Sequence, residues 1–269
     1  MRVDHEDTVP GRALRVGNAG LGAGQAFPNL AKMAAMPGGL ENALFARLID
    51  HAPLFPPAKL PLPDALEEHK QAREGPHGWI VRRFVCPASV LGSLDGEELA
   101  LSVVLDRDVR LDDPRIESVE VPPGGSVPSS RAEIYVEGAL PPLSSPAARV
   151  KVRCGPAVPL VSELAEVVRG CREHGVPFKA TAGLHHPVRQ EGQHGFLNLL
   201  AAAVFGDEEA ALAEEDPDAF RLGGDSFCWR DRAASVADVE RGRQLFVAFG
   251  SCSFSEPVDD LVALGLLAE

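Results

Sequence analysis

Phe178-Lys179-Ala180-Thr181-Ala182-Gly183-Leu184-His185-His186-Pro187 is the stretch on which the reading of this chain turns. A short apolar approach ends in a lysine, and a threonine, a glycine turn and two adjacent histidines follow. Just upstream, Ser162 to His174 has the pattern of an amphipathic helix, with Leu164, Val167, Val168 and Cys171 at i, i+3, i+4 and i+7. Gly175 suits a C-cap, and Pro177 two positions later stops the helix there. Helix, glycine stop, short strand and polar turn form the unit of an α/β fold, in which ligand chemistry collects where strands end.

Outward from this unit, strand-like runs recur. Ile80 to Val85, Leu99 to Leu105, Ile116 to Val121, Glu133 to Val136 and Val150 to Val152 are enriched in β-branched residues and punctuated by Gly and Pro. Several read as apolar on both faces, as buried parallel strands do. Phe227-Cys228-Trp229 and Leu245 to Phe249 add two more. Helices are expected over Asp64–Arg73 with Asp64 as N-cap, Gly195–Phe205, Glu208–Glu215, Val236–Gln244, and from Glu256 onward. Eight or nine strands with interspersed helices, over this length, predict an α/β fold: a single (β/α)8 (TIM-type) barrel over residues 40–269. The connectors between Leu105 and Val150 are short for crossover helices, so the barrel is expected to be irregular in the middle. Residues 1–39, rich in Gly and Ala, read as an N-terminal arm or extension.

The chain has 269 residues, a formal net charge of −13, 45% hydrophobic and 24% charged residues. That acidity argues against a nucleic-acid partner and an anionic membrane surface, both of which select clustered Lys and Arg. No apolar run is long enough to span a bilayer. The acidic start, without an apolar signal region, favours a cytoplasmic protein. Five scattered cysteines, none in a C-x-x-C spacing, fit reduced thiols. No cofactor is expected: Gly20-Leu21-Gly22-Ala23-Gly24 mimics a dinucleotide loop, but no strong strand precedes it.

Four segments resemble deoxyribose-phosphate aldolase and its class I barrel relatives. Leu48-Ile49-Asp50-His51 is similar to that family's opening Ile-Asp-His-Thr strand. Phe84-Val85-Cys86-Pro87-Ala88-Ser89-Val90 resembles its Cys-Val-x-Pro-x-x-Val strand. Phe178-Lys179-Ala180-Thr181-Ala182-Gly183 resembles the strand whose lysine forms an imine, and Gly250-Ser251-Cys252-Ser253 the last-strand segment whose backbone helps hold phosphate. Together they cover about a sixth of the chain. The resemblance implies a Schiff-base lyase. The chain departs from it in three ways. No second lysine lies between Phe220 and Ser235, where Arg230 and Arg232 are the only basic residues. Glu120 and Glu137 compete for the family's strand-four acid, and the His185-His186 pair is not in the pattern.

The residue chemistry gives roles to these positions. Lys179 is the expected imine nucleophile, needing desolvation or a nearby cation such as Lys151 or Arg153 to lose its proton. Its bland reading is a snorkelling or ion-paired lysine. Asp50 and His185 are the expected proton carriers, with His51 and His186 beside them. Arg153, Thr181, His186, Ser251 and Ser253 are the expected substrate contacts, Arg153 clamping an anionic group of a small-molecule substrate unless it pairs with Glu137. Two alternatives stand beside the lyase. One is a metal-dependent barrel using His185 and His186, with Asp50, His51, Asp106, Glu120 and Glu137 in reach. The other is a non-catalytic metabolite-binding barrel or scaffold. A homo-oligomer is left open.

Overall fold

Along the chain, a short helix α1 (Leu40–Phe45) leads into β1 (Ile49–His51), followed by α2 (Leu62–Glu74), β2 (Val81–Pro87) and β3 (Leu101–Val104). Next come β4 (Ile116–Val121), β5 (Glu133–Glu137), β6 (Ala148–Arg153), α3 (Val161–His174) and β7 (Phe178–Thr181). Helices α4 (Phe196–Phe205) and α5 (Glu208–Leu212) precede β8 (Phe220–Gly223), β9 (Ser226–Trp229) and β10 (Arg232–Ser235). Helix α6 (Val236–Leu245), β11 (Phe246–Ser251) and α7 (Ser255–Ala263) complete the chain. This is a computed structural model, and it describes residues 39–138 and 148–268. The expected N-terminal arm and the Gly20–Gly24 loop lie outside the described residues.

Strands β1 to β7 and β11 close into an eight-stranded barrel in the order β1-β2-β3-β4-β5-β6-β7-β11, β11 returning to β1. Every neighbouring pair is parallel. The expected TIM-type barrel is therefore the fold, and Glu133–Glu137 is one of its strands, which makes β7 the seventh. Among the described residues, no α-helix separates β3 from β4 or β4 from β5, so the expected irregularity falls where the connectors are short.

Local chemistry explains the elements. On α3, Leu164, Ala165, Val168 and Cys171 are buried on one face, and Gly175 ends the helix at φ 62°, left-handed backbone that glycine adopts without strain. Phe249 on β11 stacks on Phe196 of α4 with ring centroids 4.6 Å apart, locking the last strand to the helical layer. Two expectations are corrected. Helix α2 begins at Leu62 with Pro63 in its first turn, so Asp64 lies inside the helix and is not its N-cap; proline is tolerated there because those N–H groups have no helical partner. Phe227-Cys228-Trp229 is a strand outside the barrel, the centre of a three-stranded antiparallel sheet ordered β10-β9-β8.

The barrel interior is more charged than the usual branched aliphatic filling of this fold. With period two, β5 turns Glu133, Tyr135 and Glu137 inward, and β6 turns Arg149, Lys151 and Arg153. These meet as ion pairs: Arg149 with Glu133 at 2.6 Å, and Lys151 and Arg153 with Glu137 at 3.0 and 2.8 Å. The reading of these runs as apolar on both faces does not hold for β5 and β6. Their valines and isoleucine pack outward, and their charges neutralise one another inside.

Candidate active site at the barrel centre

Inward side chains of three strands converge on a carboxylate carried by a fourth. Glu120 of β4 accepts from Lys179 of β7 at 2.6 Å through Oε1 and from Lys151 of β6 at 2.9 Å through Oε2. Ser102 of β3 donates to the same Oε1 at 2.7 Å, and its hydroxyl shares a 2.6 Å hydrogen bond with Ser118. Lys179 also donates to Asp50 of β1 at 2.5 Å. The Tyr135 ring lies 5.4 Å from the Lys179 ammonium and adds a cation–π contact.

Burial alone would neutralise these groups, since low polarity penalises charge. Their mutual contacts win. Burial pushes Glu120 up, but the Lys179 and Lys151 ammonium groups override it and hold the carboxyl well below its ordinary range. Burial likewise works against the Lys179 ammonium, and Asp50 and Glu120 override it, raising the lysine above its ordinary value. Lys179 is thus a fixed cation.

Above this cluster, at the C-terminal strand ends, opens a cavity of about 620 Å³. Glu120, Lys151, Arg153, Thr181, His185 and Ser251 line it, together with apolar residues from β2, β3 and the loops. Four of the expected site residues, Arg153, Thr181, His185 and Ser251, therefore share one hollow. His185 is held from the other side, its Nδ1 3.1 Å from Glu256 of α7.

Four others sit elsewhere. Lys179 and Asp50 lie beneath the cavity floor, 1% and 0% exposed, and do not line it. The reason is stagger: Lys179 pairs in register with Lys151, but the tilt of the strands puts the β6 lysine nearer the opening. His186 turns to Asp260 of α7 at 2.7 Å. Ser253 accepts from the backbone N–H of Glu256 at 3.2 Å, capping the start of α7. Both line a shallower neighbouring hollow, so their expected substrate contacts are not made in the main cavity.

The sequence reading missed Lys151 and Glu120 as the ionisable floor, treating the first only as a basic neighbour of Lys179. The alternation Arg149-Val150-Lys151-Val152-Arg153 was the available signal, because three charges at period two on a barrel strand must share a face. Of the two competing acids, Glu120 is on β4 and touches Lys179, whereas Glu137 is on β5. A second lysine, absent after Lys179, has a spatial counterpart in Lys151 on the preceding strand.

The metal reading finds little geometry to use. Among the described residues, no group of three or more His, Cys, Asp or Glu side chains is arranged to hold a metal ion. His51 points out of the barrel, its Nδ1 3.2 Å from Nδ1 of His69 on α2 and its Nε2 3.3 Å from Glu68. Asp106 accepts from the Ser89 backbone N–H at 2.9 Å. Comparison with known proteins adds no relative: no family model, no curated protein and no solved structure matches the chain. No helix among the described residues is long and apolar enough to cross a membrane.

Proposed function

We propose that the protein is a carbon–carbon lyase of the class I aldolase type, acting on a small carbonyl compound through an imine at Lys151. The observation that carries this reading is the position of the Lys151 amine. It lies at the floor of the strand-end cavity, 2.9 Å from Glu120, which fixes its position, and 3.0 Å from Glu137, the carboxylate placed to take its proton. Sequence reasoning gave this role to Lys179, but that side chain lies below the floor and does not line the cavity, whereas Lys151 does.

In the proposed reaction the Lys151 ammonium gives one proton to Glu137, which Arg153 has released in turning to the substrate's anionic end, and its lone pair attacks the substrate carbonyl carbon. The C–N bond forms, the carbonyl oxygen takes one proton from the nitrogen and one back from the Glu137 carboxyl and leaves as water, and an iminium ion remains. A base then takes the proton of the substrate's β-hydroxyl, and the carbon–carbon bond breaks with its electron pair flowing to the iminium nitrogen. His185, oriented by Glu256, is the base on the cavity wall. Lys179 stays charged and, with Lys151, keeps Glu120 ionised. Arg153 and Ser251 face the same hollow and are the groups available to an anionic substituent, Arg153 exchanging Glu137 for it. A catalytically inert binding barrel would not need ionisable groups converging on its cavity floor, and this barrel has them.

Borohydride reduction in the presence of a panel of aldehydes and ketoacids, followed by peptide mass mapping, tests the reading. Hydride adds to the imine and leaves a stable secondary amine on the lysine. An adduct on Lys151 is the expected result. No adduct across the panel overturns the lyase reading, and an adduct on Lys179 alone overturns the choice of nucleophile.

A further inference from the structure

The cavity is chemically divided, and the division describes its occupant. Polar groups gather on one side: Glu120 on β4, Lys151 and Arg153 on β6, and Thr181 on β7. The opposite side is apolar. Val85 and Val104, each the inward position next beyond Arg83 and Ser102, replace the charges and hydroxyls of the layer below, and Phe55 from the loop after β1 continues that wall. Val158, in the connection from β6 to α3, and Leu184 after β7 add apolar surface beyond the polar strand ends. The same connection carries Val158 and Leu160 at 39% and 66% exposure, two of the four exposed large hydrophobics among the described residues. Isolated surface hydrophobics are ordinary, but Val158 lines the cavity itself and carries apolar surface to its rim.

We infer that the carbonyl compound accepted here carries an extended apolar body, aliphatic or aromatic, joined to one polar end that reaches Lys151. The chemistry at that end rests on the imine reading; the apolar body rests on the walls alone. A polyhydroxylated chain would set hydroxyls against Val85, Val104 and Phe55, where they lose water and gain no partner. An alkyl or aryl group loses nothing there and is driven in by the hydrophobic effect. The volume of about 620 Å³ is also within the range of roughly 300–1,000 Å³ that holds ligands larger than a triose.

The test uses two ligand sets on the intact protein. Calorimetry with butanoate, hexanoate and octanoate reads the walls without any imine, and borohydride trapping with straight-chain aldehydes and glyceraldehyde 3-phosphate reads the amine. The expected result is affinity tightening about fourfold per added methylene, the equivalent of ~0.8 kcal/mol, with octanoate preferred over the phosphorylated triose. Val104→Thr, close in shape, should weaken octanoate more than butanoate. Affinity that does not change with chain length, or tighter binding of the triose phosphate than of octanoate, overturns the inference. A chain-length gradient without any reduced adduct supports the apolar body and removes the imine reading. Trapping of the triose phosphate with no gradient does the reverse.

Discussion

Lys151 and Lys179 face each other across the β6–β7 register and are joined by the two oxygens of a single carboxylate, Glu120. One of the pair opens on the cavity and the other lies under it. Their neighbours differ as well. Glu120 and Glu137 each keep a second cation if Lys151 is removed, namely Lys179 and Arg153. Asp50 has Lys179 as its hydrogen-bonding side-chain partner, and its other oxygen is buried without one.

That asymmetry gives a paired prediction. Lys179→Met takes from Asp50 its hydrogen-bonding cation and from Glu120 one of its two, and should cost roughly 3–5 kcal/mol of stability. Lys151→Met should cost clearly less while abolishing the borohydride adduct. Urea unfolding of both variants, alongside trapping, checks the two halves separately. Equal destabilisation would contradict the assigned geometry.

Glu120→Gln keeps the shape of the side chain and removes the charge that holds two ammonium groups together. A loss of about 3–5 kcal/mol is expected, against about 1.5–3 kcal/mol for Ser102→Ala, which removes one hydroxyl donor to that carboxylate and the partner of Ser118. Chemical denaturation of the two variants tests the ranking. A Glu120→Gln protein as stable as Ser102→Ala would mean that the bridge carries no net energy.

The stacked pair His51 and His69 sets an acid limit. Burial lowers His51 from 6.5 to about 4, and burial, with His51 and Arg73 nearby, lowers His69 to about 3. Both stay neutral in the fold, while the unfolded chain takes up protons below its ordinary value, so stability rises with pH across this window and falls as acid is added. The loss should begin near pH 6.5 and reach roughly 2 kcal/mol per histidine by about pH 5, from 1.36 kcal/mol per unit. Thermal unfolding from pH 7 to 4.5 measures it, and His69→Leu should flatten the curve. An unchanged slope in that variant would remove the histidines from the explanation.

Gly183 is a backbone constraint on the cavity wall. Its φ is +69°, and a Cβ there would lie 2.9 Å from the carbonyl oxygen of Cys154. Gly183→Ala should therefore destabilise by about 1–3 kcal/mol, combining left-handed strain with a clash against rigid backbone. Denaturation midpoints of the variant and the parent decide it.

Thiol accessibility offers a check on the packing. Burial pushes the Cys86, Cys154 and Cys171 thiols up to about 12, and Cys252 is also raised by burial, whereas Cys228 is half-exposed. A thiol-specific reagent at pH 8 should modify Cys228 first in the native protein and all five cysteines after unfolding. Fast native labelling of Cys154 would show that the strand-end region opens readily.

The sequence by itself determined the fold class. β-branched runs at short intervals, Gly and Pro between them, and the helix stop at Gly175 leave few arrangements other than parallel strands around a common core. It also placed Arg153, Thr181, His185 and Ser251 at strand ends, and these share the cavity. It even contained the inward charges, in the alternation of Arg149, Lys151 and Arg153 opposite Glu133 and Glu137. Only the tertiary structure decided their depth. Period two says which side of a strand faces inward, but closure and stagger set how far along the barrel axis each side chain sits. That closure brings Asp50 to Lys179 across 129 positions of chain and leaves Lys151, one strand earlier, as the amine that meets the hollow.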